Sequence, residues 1–292
     1  MIDLVFHLLV MIMIYSMVLA GQQIMLFRCG VLTLSSAGFF ALGGYFSAWF
    51  STSLNIPVPL AVGLSASVCF AFGFGIGAPI FLRLKGDFLA LATLMLSQLV
   101  VSILKVGGMG GASGYAGVPP LPKLLGGGSN TYQAFVYVAG VFVLGAICLR
   151  CLWQSRLGLL ADAAKTDPSH LQSRGHSPAR IFIQFFAISA LLAGLGGALQ
   201  AHYLGVIEPS MASINSTVVF LSGGIIAGGK TSFGSLLGAL VIVVGPELLQ
   251  NFRIFEGVNS WMAFPIAKIG FAILVIALAF IFFRKPTQAT ST

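Results

Sequence analysis

Charge is scarce in this sequence. Asp, Glu, Lys and Arg make up 8% of its 292 residues and only seven residues are acidic, whereas an average soluble chain is about a quarter charged. With 58% apolar residues and a mean hydropathy of +1.00, that scarcity excludes a water-soluble globule and makes lipid the main solvent. Cysteine is sparser still, at four residues. Cys29, Cys69, Cys148 and Cys151 lie in or at the ends of apolar runs, so no disulfide framework is implied. Cys148 and Cys151 form a C-x-x-C, but a zinc site needs a second ligand pair and a redox site usually sits by a βαβ pattern; the sequence offers neither. His7, His170, His176 and His202 are far apart, and there is no H-E-x-x-H, no G-x-S-x-G and no close pair of intramembrane carboxylates. The sequence therefore proposes no catalytic residue, metal or cofactor. Its net charge of +8 comes from 15 basic residues scattered at the ends of apolar runs, a pattern of membrane orientation and not of nucleic-acid binding.

What is abundant fits that solvent. Thirty-six Gly and 25 Phe suit helices that pack closely in lipid. Runs long and apolar enough to cross it cover Leu4 to Phe27, Val31 to Phe50, Val58 to Leu82, Phe88 to Leu104, Tyr132 to Trp153, Ile181 to Leu204 and Trp261 to Phe283. Leu4 to Phe27 is longer than a signal-peptide core and lacks its flanks, so it reads as a retained span. Ser216 to Gly229 and Ser232 to Leu249 are shorter, and either cross the membrane or form a pair of half-helices that re-enters and returns. The sequence thus predicts an all-α, polytopic membrane bundle of about nine spans with broken or re-entrant helices, forming one domain over residues 1–292. Threading the segments alternately puts Arg28, Arg83, Lys85, Arg150, Arg156, Lys165, Arg174, Arg180, Lys230, Arg284 and Lys285 on one face. Lys105, Lys123 and Arg253 fall on the other. The positive-inside rule then places the amino terminus outside and the carboxyl terminus in the cytoplasm.

Two connections are long. The outer one, 105–131, is rich in Gly and Pro, which favours an irregular, mobile surface able to receive a soluble partner. The inner one, 154–180, is the most polar stretch and carries Asp162, Lys165, Asp167, His170, Arg174 and His176. Asp167 as N-cap, Pro168 at the first position and Gly175 as a stop predict a helix of about two turns on the cytoplasmic face. A simple polar connector is the plainer reading of the same stretch.

Gly224 to Thr231 matches the phosphate-binding pattern G-x-x-x-x-G-K-[ST]. A working loop of that kind follows a buried strand in a soluble α/β domain and needs an acidic magnesium partner. Here it lies between apolar segments, where its glycines serve close helix contact or a broken helix. Any energy from ATP would have to come through another subunit. Leu34 to Tyr45 has small polar residues followed by Gly43 and Gly44, consistent with a helix broken at membrane depth or with tight packing of small residues. Lys268 and Glu247, charged groups within apolar segments, either act in transport or pair structurally.

Five stretches in this order resemble the LivM-type permease subunit of branched-chain amino acid ABC transporters. They are Leu34 to Tyr45, Arg83 to Leu94, the Gly-rich run to Val118-Pro119, Ser155-Arg-Leu-Gly158 through Gly175, and Ala193 to Tyr203 with its Gly-rich continuation and Pro246 to Leu249. The resemblance implies an importer of the bacterial inner membrane. In it two permeases, this chain and a LivH-type partner, join two cytoplasmic ATPases and a periplasmic substrate-binding protein. It makes Ser35, Ser36, Gly43, Gly44, Tyr45, Thr93, Gly223 and Gly224 candidates for the substrate pathway, and Asp162, Lys165, Asp167, Pro168, His170 and Gly175 candidates for coupling to the ATPase. Substrates of this broad family include branched-chain amino acids, amides, urea and aromatic acids. The alternative is a stand-alone carrier or channel driven by an ion gradient.

Overall fold

The computed structural model describes residues 2–84, 86–106, 113–122, 130–228 and 234–251. The expected last span, Lys268, the carboxyl terminus and the Gly229 to Thr231 end of the phosphate-loop match lie outside these residues, as does the side chain of Glu247.

Helices α1 (Ile2–Gln23), α2 (Ser36–Ser53), α3 (Val58–Arg83), α4 (Asp87–Val106) and α5 (Asn130–Gln154) are followed by two short helices, α6 (Arg156–Thr166) and α7 (Pro168–Ser173). Then come α8 (Pro178–Leu204), α9 (Ile214–Ala227) and α10 (Gly234–Asn251). Among the described residues, α1 with its extension to Arg28, α3, α4, α5 and α8 are long and apolar enough to cross a membrane. The described chain is thus a mostly helical, multi-pass membrane protein.

Helix α8 is the most enclosed element. It begins with Pro178 at its first position and ends at Gly205, whose φ of +72° closes the last turn through a bond from its N–H to the Ala201 carbonyl. Its buried residues include Phe185, Phe186, Ala190, Leu199 and His202, and it packs against α1, α2 and α3. Glycine permits the closest of these approaches. A Cβ on Gly197 would overlap the Phe40 carbonyl of α2, and one on Gly194 would meet the Cys69 thiol of α3 at 2.5 Å.

Three expectations are corrected here. The second span starts at Ser36 and not at Val31, and it runs unbroken through Gly43 and Gly44; the interruption lies before it, at residues 29–35. The inner connection holds two helices. Gly158, Ala161 and Ala164 form the buried stripe of α6, and such small residues hide the apolar period that would have announced it. The described part of the outer connection is pinned, not loose. Strand β1 (Tyr115–Ala116) pairs antiparallel with β2 (Val206–Ile207) in the register Tyr115 to Ile207, and Val118 and Leu121 are buried.

Candidate functional site

Helix α1 ends in a π-helical turn, Ile24–Arg28, in which the Cys29 N–H reaches back to the Ile24 carbonyl and the Val31 N–H to that of Met25. Gly30, at φ +68°, then turns the chain out of the helix. Residues 29–35 run without helix until α2 begins. Backbone groups freed inside a bundle must find partners, and here side chains of α1 and α4 supply them. The Gln22 amide donates to the Thr33 carbonyl at 2.9 Å and its oxygen accepts from the Ser36 hydroxyl. Thr93 Oγ1 accepts from the Leu34 N–H at 2.9 Å, while Ser97 Oγ donates to the Leu34 carbonyl at 3.1 Å and accepts from the Gly38 N–H at 3.2 Å. Ser97 thereby caps α2 from a neighbouring helix, where Ser35 makes no cap bond of its own.

Ser35, Ser36 and Thr93 of the expected pathway therefore meet at one buried interruption. Gly224 joins them indirectly, since it leaves room for Gln22: a Cβ there would lie 2.8 Å from the Gln22 Cγ. Gly223 faces Leu19 and Ile242, Gly43 faces the Gly194 backbone and Gly44 faces Ile207. These three pack helices together. Tyr45 is buried among Val100, Leu104, Ile207 and Ala212, and its hydroxyl has no hydrogen-bond partner among the described residues. Gln22, Thr33 and Ser97 were missed, because a glutamine or serine inside an apolar run reads as noise until its partner is known. Beside the interruption, an almost wholly apolar cleft of about 270 Å³ opens between α3 and α4, walled by Ser35, Gly38, Phe39, Phe72, Leu96 and Ile103.

Helix α9 runs alongside α1 and ends where Gln23 donates to the Gly228 carbonyl at 2.5 Å. Helix α10 folds back on it, its Gly238 close against the Gly223 carbonyl. At the end of the bundle that carries β1 and β2, His202 Nδ1 lies 2.7 Å from the Pro119 carbonyl and Nε2 lies 2.8 Å from Ser47 Oγ. A carbonyl only accepts, so Nδ1 carries the proton and Nε2 accepts from the serine.

At the opposite end, the expected coupling residues lie on α6 and α7 or at their ends. Asp167 Oδ1 accepts from the Ser169 N–H, the Ser169 hydroxyl and the His170 N–H, each at 3.0 Å or less. The hydroxyl bond and then the backbone bond from His170 hold its carboxyl below the usual carboxylate range. Pro168 opens α7, His170 is exposed on it, and Gly175, at φ +83°, ends the turn that follows. Asp162 pairs with Arg28 at 3.5 Å, and Lys165 donates to the Phe27 carbonyl at 2.9 Å.

A multi-pass helical membrane protein whose backbone leaves the helix inside the bundle, between α1 and α2, and is held there by buried polar side chains is the class these features define. Residues 4–279 match the family described as branched-chain amino acid transport system / permease component, and the chain belongs to that family. It is 29% identical over 270 residues to the high-affinity branched-chain amino acid transport system permease protein LivM of Salmonella typhimurium, an alignment covering 83% of this chain and 63% of that protein. It is 28% identical over 268 residues to the Escherichia coli protein of the same name, covering 82% of this chain and 62% of the relative. The chain thus spans less than two thirds of the length of these curated relatives. No solved structure matches it.

Proposed function

We propose that this chain is the membrane-spanning permease subunit of an ATP-driven importer that carries branched-chain amino acids, or a related small polar solute, across the bacterial inner membrane. The observation that carries the reading is the interruption at 29–35. Its Thr33 carbonyl and both backbone groups of Leu34 are satisfied by Gln22, Thr93 and Ser97 instead of by a helix, as expected where a polar solute must pass through lipid depth. Family membership supports the same reading. Two cytoplasmic ATPases, a LivH-type second permease and a periplasmic binding protein complete the assembly. The chain is one permease domain, with α6 and α7 in the coupling loop 154–180 and the ribbon strand β1 in the outer loop 105–131.

In this reading the amino terminus is outside and the carboxyl terminus cytoplasmic, with about nine segments entering the membrane. Helices α9 and α10 form a re-entrant pair from the outer side. The 14 residues of α9 cover only about 21 Å at 1.5 Å per residue, against about 30 Å of hydrocarbon. Its Gly228 end is held by Gln23, more than a turn before the end of α1 at Arg28.

Affinity purification of the tagged chain in mild detergent tests the assembly. ATPases and a second permease should remain bound, and uptake should collapse on ATP depletion while surviving an uncoupler. A homo-oligomer without an ATPase, with uptake lost to the uncoupler alone, means a gradient-driven carrier. Replacing Asp167-Pro168 with Gly-Gly should unfold α7 and uncouple uptake from hydrolysis; normal uptake in the assembled complex removes the coupling role.

A further inference from the structure

The end of α1 is fastened to α6 at two successive residues. The carbonyls of a helix's last turn have no partner within the helix, and that of Phe27 is met at 2.9 Å by the Lys165 ammonium, a cation well placed at a helix carboxyl end. The next residue, Arg28, holds α6 and the end of α5 together. Its Nη1 donates to the Trp153 carbonyl at 3.1 Å, its guanidinium lies 4.6 Å from the Trp153 ring centre, and it pairs with Asp162 at 3.5 Å. Asp162 and Lys165 are three residues apart, on one face of α6. Gly158 makes the room, since a Cβ there would stand 2.5 Å from Arg28 Nη1 and 2.7 Å from the Trp153 carbonyl oxygen.

These ties end at Arg28, directly before the interruption begins at Cys29. The segments they join also wall an inner cavity of about 530 Å³. Gly30, Val31 and Leu32 of the interruption form part of its wall, and Ala164, Pro168 and Gln172 of α6 and α7 form another part. A displacement of the α6–α7 pair therefore either pulls the interruption along with it or widens this cavity. The ties decide which. The guanidinium makes three contacts, to the Trp153 carbonyl, the Trp153 ring and Asp162, and the ammonium caps an orphan carbonyl; Arg28 is largely shielded, at 17% exposure.

We propose that Arg28 and Lys165 are positioning residues that make the 29–35 interruption move with α6 and α7, so that motion of the ATPase is delivered to the passage through the end of α1. This rests on the reading of the chain as an ATP-driven permease. In it, the partner's two states bias the loop, and the latch hands that bias on.

The complete complex, reconstituted in vesicles, tests the latch through the ratio of solute taken up to ATP hydrolysed. Arg28→Ala combined with Lys165→Met should lower that ratio about tenfold, within the usual range of coupling between sites. Arg28→Lys, which keeps a cation facing Asp162 and the Trp153 carbonyl, should retain most of it. Should the double variant fail to assemble, Lys165→Met alone carries the test, because its ammonium is exposed and its loss leaves no buried charge. An unchanged ratio in the assembled variant, with hydrolysis still driving uptake, overturns the latch and leaves the importer standing. A wild-type chain that binds no ATPase overturns both.

Discussion

Gly43 of α2 and Gly194 of α8 meet backbone to backbone, so that a Cβ on Gly43 would overlap the Gly194 carbonyl group. Neither partner is a flexible side chain that could swing aside. Gly43→Ala should therefore force α2 and α8 apart and lower stability by about 1–3 kcal/mol, the usual cost of overfilling a packed interior. Gly63→Ala and Gly140→Ala, where a Cβ meets nothing within 4 Å, should be close to neutral. Thermal unfolding in detergent separates the two groups, and equal melting temperatures would remove the close-contact account.

Thr93→Val keeps the shape of a side chain that accepts from the Leu34 N–H but leaves that donor unsatisfied inside the bundle. The expected loss is about 1–3 kcal/mol, the cost of an orphaned buried polar group. Faster amide hydrogen exchange around Leu34, with α8 unaffected, is the measurement that localises it. Ser97→Ala should be at least as severe, because Ser97 serves both the Leu34 carbonyl and the Gly38 N–H.

Asp167 supplies a pH-dependent cap. Hydrogen bonds from Ser169 and His170 lower its pKa in the folded chain, so the capping contribution is complete above the unfolded value and is lost as pH falls through the folded one. Protection of amides 168–173 should then decline in acid only below the ordinary Asp range. Asp167→Asn, which can still accept these bonds, should keep α7 at neutral pH and abolish the acid dependence, whereas Asp167→Ala should fray the helix at every pH.

His202→Ala removes the donor to the Pro119 carbonyl and the acceptor for Ser47 together. The ribbon pairing of Tyr115 with Ile207 and the 2.6 Å contact between the Thr52 and Tyr115 hydroxyls remain. Limited proteolysis should accordingly cut the 113–122 segment faster in the variant while α8 stays intact. An unchanged cleavage rate would mean that the ribbon alone holds this segment.

Local chemistry was the readable part of the site. Asp167 and Pro168 form the start of α7 that their side-chain chemistry predicts, and Gly175 takes the positive φ expected after its end. The place of the interruption was not readable, since Gly43-Gly44 allowed either a break or tight packing and Cys29 to Ser35 carried no signal of a break. Glycines in a membrane helix either loosen it or let another backbone approach, and nothing within the segment tells which. The approach of Gly194 decided it. Helix α6 was hidden for a related reason, because its buried stripe is made of alanine and glycine.

Composition and the lengths of the apolar runs determined by themselves that this is a helical, multi-pass membrane protein, because lipid offers no partner for an exposed backbone and leaves the chain few alternatives. Only the tertiary structure decided where that backbone could afford to leave the helix. The opening at 29–35 exists because Gln22, Thr93 and Ser97, brought from two other places in the chain, supply the hydrogen bonds that lipid cannot.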